Sequence, residues 1–168
     1  MLIDDFSQSD LVSSFGTRWR HVSDRVMGGV SEGQLSQEII QGRHCLRLLG
    51  DVSTDNNGGF IQASLDLASD SDCLDGSGYQ GMRLIARGNG QEYSIHLRTP
   101  DNVKPWQSYR AQFHADENWR TVALPFSDFT PHRLDQPLDT GQLRRMGLVA
   151  IGRAFHADVA IARIELYR

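Results

Sequence analysis

Short stretches in which apolar and polar side chains alternate recur along this chain, and turn residues separate them. In Glu92-Tyr93-Ser94-Ile95-His96-Leu97-Arg98 the alternation is strict, with Tyr93, Ile95 and Leu97 on one face. Tyr109-Arg110-Ala111-Gln112-Phe113-His114 repeats it, with Tyr109, Ala111 and Phe113 turned inward. A period of two over such a length predicts a half-buried strand. Runs at 2–6, 18–22, 35–40, 44–49, 59–65, 81–87, 119–124, 146–151 and 159–166 predict further strands. Glycine and Asx clusters punctuate them, and Gly88-Asn89-Gly90 reads as a tight hairpin between two strands. Helix is hinted at only over 138–145, where Asp139 or Thr140 would cap a turn or two. About ten short strands with little helix predict an all-β fold, a two-sheet antiparallel β-sandwich. The even spread of turns predicts one domain over residues 1–168.

Composition sharpens this picture by exclusion. A chain of 168 residues with 39% apolar and 23% charged side chains can bury a core without staples. Seventeen basic residues face twenty-one acidic ones, and no basic run offers to neutralise a phosphate backbone. Nucleic acid is therefore a poor partner. No apolar window reaches the ~18 residues of a membrane span. Met1-Leu2-Ile3-Asp4-Asp5 carries acids where a secretory signal needs base, so the expected location is cytoplasmic, the alternative being a mature form whose leader has been removed. Cys45 lies in an apolar run and reads as a small core residue, and nothing in its spacing from Cys73 favours a bridge.

The most distinctive stretch is Trp19-Arg20-His21-Val22-Ser23-Asp24-Arg25-Val26-Met27-Gly28-Gly29-Val30-Ser31. Gly28 and Gly29 permit positive φ and close approach of another segment, and Asp24 and Ser31 can take the amides of the turn. No lysine and no helix pattern follow the glycines, so this is no phosphate loop. Asp24, Met27, Gly28, Gly29 and Ser31, with Asn57, Gly58 and Gly59 of a second glycine cluster, are read as structural loop residues.

That stretch is followed by Asp55-Asn56-Asn57-Gly58-Gly59-Phe60, Arg87-Gly88-Asn89-Gly90-Gln91-Glu92-Tyr93 and Leu97-Arg98-Thr99. Tyr109-Arg110-Ala111-Gln112-Phe113 and the run from Trp119 through Leu124-Pro125-Phe126-Ser127-Asp128-Phe129-Thr130-Pro131 continue the series. Together these blocks resemble the complex I intermediate-associated protein family of the thirty-kilodalton type. The resemblance implies a galactose-binding-like jelly roll, related in shape to carbohydrate-binding modules, and a role in the assembly of a respiratory-type complex. The chain departs from the family pattern at Asn89, often Asp, at Leu134, usually Gly, and in the loosened Gly152-Arg153-Ala154-Phe155.

Chemistry is thinly signalled. There is no Gly-x-Ser-x-Gly elbow, and the six histidines show no zinc-helix spacing. Asp4-Asp5 and Asp70-Ser71-Asp72 lack the ligand spacing of a calcium loop and read as solvated acids. No metal, no cofactor and no catalytic residue is expected. The candidate binding surface is the outward row Ser94, His96, Arg98 beside Arg110, Gln112 and His114, if those two strands are neighbours. Trp106 in the joining loop adds a flat apolar plate. The expected function is a non-catalytic protein-binding module, an assembly or stabilisation factor. The alternative is a carbohydrate-binding module using the same polar face.

Overall fold

The computed structural model describes every residue from Met1 to Arg168. Its strands are β1 (Leu2–Asp4), β2 (Arg20–Ser23), β3 (Glu32–Ile40), β4 (Arg43–Val52), β5 (Phe60–Asp66) and β6 (Gly81–Gly88). They continue as β7 (Glu92–Arg98), β8 (Ser108–His114), β9 (Arg120–Pro125), β10 (Thr130–His132), β11 (Arg145–Ile151) and β12 (Phe155–Tyr167). One sheet runs β3-β4-β12-β6-β9, with β1 beside the end of β12, and the second runs β10-β8-β7-β11-β5-β2. Every pairing is antiparallel. The two-sheet antiparallel sandwich expected from alternation is therefore present, and with it the jelly roll that the family resemblance implied. No helix is long and apolar enough to cross a membrane.

The core lies between the sheets because alternate side chains of both point there. Leu46, Leu48, Leu84, Ile161 and Ile164 come from the first sheet, and Ile61, Ile95, Leu97, Tyr109 and Leu148 from the second. All ten are buried. Burying a side chain of this size contributes roughly 1.5–3 kcal/mol each before entropy is charged against it. The condition on which the candidate face rested is met: β7 pairs with β8, setting His96 opposite Arg110 and Ser94 opposite Gln112.

Three local readings change. Gly88-Asn89-Gly90 is no hairpin: β6 belongs to the first sheet and β7 to the second, so the turn carries the chain between layers. Its Asn89 ties those layers together. The Tyr93 hydroxyl donates to Asn89 Oδ1 (2.7 Å) and accepts from the Asp158 amide (2.9 Å), while Asn89 Nδ2 donates to the His156 carbonyl (2.9 Å). An Asp at this position could accept but not donate, which gives the departure from the family pattern a structural role. Second, Asp4 is fully buried rather than solvated; its carboxylate accepts from the Trp19 indole (2.7 Å) and the Phe6 amide (2.9 Å). Burial pushes this carboxyl above the usual range. Third, β10 was not anticipated, because three residues containing Pro131 carry too little alternation.

The helical hint at 138–145 condenses to a 3-10 turn, Thr140–Gln142, whose Gly141 amide donates to Asp139 Oδ1 (3.0 Å). Cys45 is buried against Ala160 and Ala162, and both cysteines are free thiols.

Removing the Tyr93 hydroxyl leaves the Asp158 amide and the Asn89 side chain without it. Tyr93→Phe is expected to lower the unfolding free energy by about 1–3 kcal/mol in a urea titration with unchanged m-value.

Candidate functional site

The outward face of the second sheet is the floor of a groove of about 920 Å³. Register places its side chains in rows that run across the strands. One row reads Arg20, Ser64, Gly147, His96, Arg110, Thr130 from β2 to β10. Its neighbours carry Asp66, Arg145 and Arg98 on one side, and Val22, Gln62, Val149, Ser94 and Gln112 on the other. Gly147 is bare because a Cβ there would fall 2.5 Å from Gln62 Oε1, so the amide of Gln62 lies over it.

One wall is built around Asp24, which no solvent reaches. Its Oδ1 accepts from the Ser31 amide (3.0 Å). Its Oδ2 accepts from the Ser31 hydroxyl (2.5 Å) and from the amides of Gly59 (2.6 Å) and Phe60 (3.2 Å). The Ser31 hydroxyl in turn accepts from the Ser53 amide (2.9 Å). Burial pushes the Asp24 carboxyl up, but these hydrogen bonds outweigh it and hold it below the usual carboxylate range. Two glycines make the approach possible. A Cβ on Gly29 would lie 2.5 Å from Asp24 Cγ, and one on Gly58 would lie 2.5 Å from Asp24 Oδ2. Gly28 closes the 3-10 turn Asp24–Met27 with φ 87°, a left-handed conformation that favours glycine. Asn57 also sits in that region, at φ 59°, which Asn tolerates. The two glycine motifs of the sequence are thus halves of one knot, which presents Val26 and Met27 to solvent.

The facing wall is the loop 99–107. Arg98 Nη1 donates to the Pro105 carbonyl (2.8 Å), and Nη2 reaches the carbonyls of Asn102 and Lys104 (3.3 Å each). Asn102 Oδ1 accepts from the Thr99 amide (2.6 Å), and Gln107 Oε1 from the amides of Val103 (3.0 Å) and Lys104 (3.1 Å). So braced, the loop holds Val103 75% and Trp106 54% exposed, across from Val26 at 75% and Met27 at 56%.

Of the residues expected to form a binding face, His96, Arg98, Trp106 and Arg110 line the groove. Ser94, Gln112 and His114 do not. Ser94 is buried, its hydroxyl on the Ala111 carbonyl (3.3 Å), and Gln112 is exposed beyond the groove. His114 is exposed and pairs with Glu92 (3.2 Å). Among the loop residues, Met27, Asn57, Gly58 and Gly59 line the groove, and Asp24, Gly29 and Ser31 act from behind it. The groove also takes in Arg20, Gln62, His132, Arg133 and Arg145, which the sequence reading left out.

The electrostatics are lopsided. Burial, then Arg110 and His132, push His96 down to about 3, so its ring is neutral near pH 7. Its Nε2 is buried without a hydrogen-bond partner. Arg110 donates through Nε to Ser108 Oγ (2.8 Å) and through neither terminal nitrogen to the protein.

The family model for Complex I intermediate-associated protein 30 (CIA30) matches residues 5–160. The chain belongs to that family. Among solved structures, this CIA30 chain is similar to a family 11 carbohydrate-binding module from Clostridium thermocellum, determined in complex with a beta-1,3-1,4-mixed-linked tetrasaccharide. The TM-score is 0.74 at 16% identity, over 99% of this chain and 94% of the module. A family 30 carbohydrate-binding module superposes with TM-score 0.67 at 14% identity, over 100% of this chain and 89% of that one. At such identities the likeness is one of fold. No curated protein matches the CIA30 chain.

Removing the Asp24 carboxylate strands the buried amides of Ser31 and Gly59. Asp24→Ala is expected to cost about 3 kcal/mol or more of stability in chemical denaturation. His96 binds a proton in the unfolded chain below its ordinary 6.5 but not in the fold until about 3. Its contribution is therefore lost as pH falls through that window. Relative to His96→Gln, the wild type is expected to lose about 1 kcal/mol per pH unit between about pH 6 and pH 4, read from denaturant midpoints.

Proposed function

We propose that this chain, acting as one unit over residues 1–168, is a non-catalytic protein-binding module that receives a segment of its partner in the groove of the second sheet. The observation that carries this reading is an arginine-lined floor set between two apolar lips, Val26 with Met27 and Val103 with Trp106. Arginine, tryptophan and methionine are the types enriched where proteins grip one another, and a concave, partly desolvated setting is where they contribute most. In the groove the Ser108 hydroxyl accepts from the Arg110 guanidinium (2.8 Å), and no hydrogen bond joins it to its cross-strand partner His132, so the pair is not arranged as an activated nucleophile and its base. The family's description, association with a complex I intermediate, is in keeping with a protein partner. We assign the chain the role of an assembly or stabilisation factor working in the cytoplasm.

A second reading is a carbohydrate-binding module. The family 11 module that shares the fold was determined with a beta-1,3-1,4-mixed-linked tetrasaccharide, and the exposed indole of Trp106 would suit a sugar ring. Under that reading calorimetry with neutral glucan oligosaccharides detects binding that Trp106→Ala abolishes.

Photo-crosslinking in the native cell separates the faces of the protein. A photoreactive amino acid at Met27 or Trp106 is expected to trap one recurrent protein. The same group at Ile39, at least as exposed and on the other sheet, is expected to trap none. Equal trapping from Ile39, or no protein adduct from either groove position, would remove the reading.

A further inference from the structure

The two sheets differ in how their cations are partnered. On the outer face of the first sheet most arginines meet acids, Arg47 with Asp158 (2.8 Å) and Glu38 (3.3 Å), Arg83 and Arg163 with Glu165 (3.6 and 3.3 Å), while Arg43 and Arg87 have no acidic partner. The groove of the second sheet is lined by Arg20, Arg98, Arg110, Arg133 and Arg145, and by no Asp or Glu. The rest of the molecule holds the other twelve of seventeen basic side chains against all twenty-one acidic ones. One carboxylate reaches the groove's cations, that of Asp66 at one margin, 2.7 Å from Arg145 and 3.5 Å from Arg20. Arg98, Arg110 and Arg133 have no acidic partner. Both terminal nitrogens of Arg110 stand free beside the orphaned Nε2 of His96, across one rung of the ladder.

We infer that the occupant of this groove is an acidic segment of a partner protein, with one of its carboxylates bound between Arg110 and His96 near the middle of the floor. The inference rests on the protein-binding reading above and names the chemistry of the segment. A carboxylate suits both groups, accepting a pair of hydrogen bonds from the guanidinium and one from the neutral imidazole. Six strands at ~4.8 Å spacing span about 24 Å, the length of about seven extended residues. The lips point to a peptide rather than an acidic polysaccharide. Three of the four exposed apolar side chains, Val26, Met27 and Val103, are aliphatic, whereas sugar rings are held by flat aromatic plates, of which the lips offer only Trp106. Acidic residues interspersed with apolar ones would satisfy floor and lips together.

Selection of a random nine-residue peptide display library on the full chain tests this, with sodium oligogalacturonate as a parallel titrant. The enriched peptides are expected to carry an excess of Asp and Glu and to lose about tenfold or more in affinity on Arg110→Gln. Arg133→Glu, at an exposed position outside the ladder's core, is expected to weaken the same peptides with the melting temperature unchanged, which guards against a misfolded Arg110 variant. Rising salt is expected to weaken binding in step. Enrichment of neutral or basic peptides, indifferent to both substitutions, overturns the acidic assignment and leaves the protein-binding reading standing. Enrichment of no peptide overturns both, and oligogalacturonate binding in that case gives the groove to acidic polysaccharide.

Discussion

The Asp24 carboxylate sits where three segments meet, and the amides of Ser31, Gly59 and Phe60 all donate to it. Its burial is tolerable only because both oxygens are saturated; an unpaired charge in that place would cost several kcal/mol. Hydrogen bonding of this density needs backbone at close quarters, hence the absence of a Cβ at Gly29 and Gly58. The dependence runs outward from there. The knot fixes the turn Asp24–Met27, that turn sets one lip of the groove, and the lip bounds the width of the floor.

The opposite lip is organised on different chemistry, with Arg98 spending its guanidinium on three main-chain carbonyls of the loop it precedes. An arginine used in this way is a strut. Arg110, one strand over, is left with its terminal nitrogens uncommitted, and burial together with Arg133 lowers its basicity. Two residues of one type on one face thus divide into one committed to the scaffold and one left uncommitted, and only their hydrogen bonds tell them apart.

Fold class was legible because Tyr93, Ile95 and Leu97, or Tyr109, Ala111 and Phe113, alternate so strictly that their faces could be assigned from sequence. The β7–β8 pairing could be posed only as a condition, since a nine-residue loop joins the two strands. What lay on the far side of β7 was not legible. β11 reads Met146-Gly147-Leu148-Val149-Ala150, apolar on both faces, so period two vanishes there and with it any sign that Arg145 joins Arg98. Arg20 and Gln62 enter the groove through strand order, which is decided by long-range packing. Gly88-Asn89-Gly90 misled for the same reason: a local turn signal says that the chain reverses, not which layer it enters. The Asp24 and Asn57-Gly58-Gly59 motifs each stood out, but their union depends on a contact thirty-five residues long.

The second sheet ends on β2, four residues long, and on β10, three residues long and interrupted by Pro131, which has no amide to offer. Both borders of this sheet are poorly suited to template a further extended chain by main-chain pairing, the mode that binds many sequences alike because every backbone is the same. A segment docking on this sheet as proposed would therefore be read through its functional groups, by composition rather than by backbone alone.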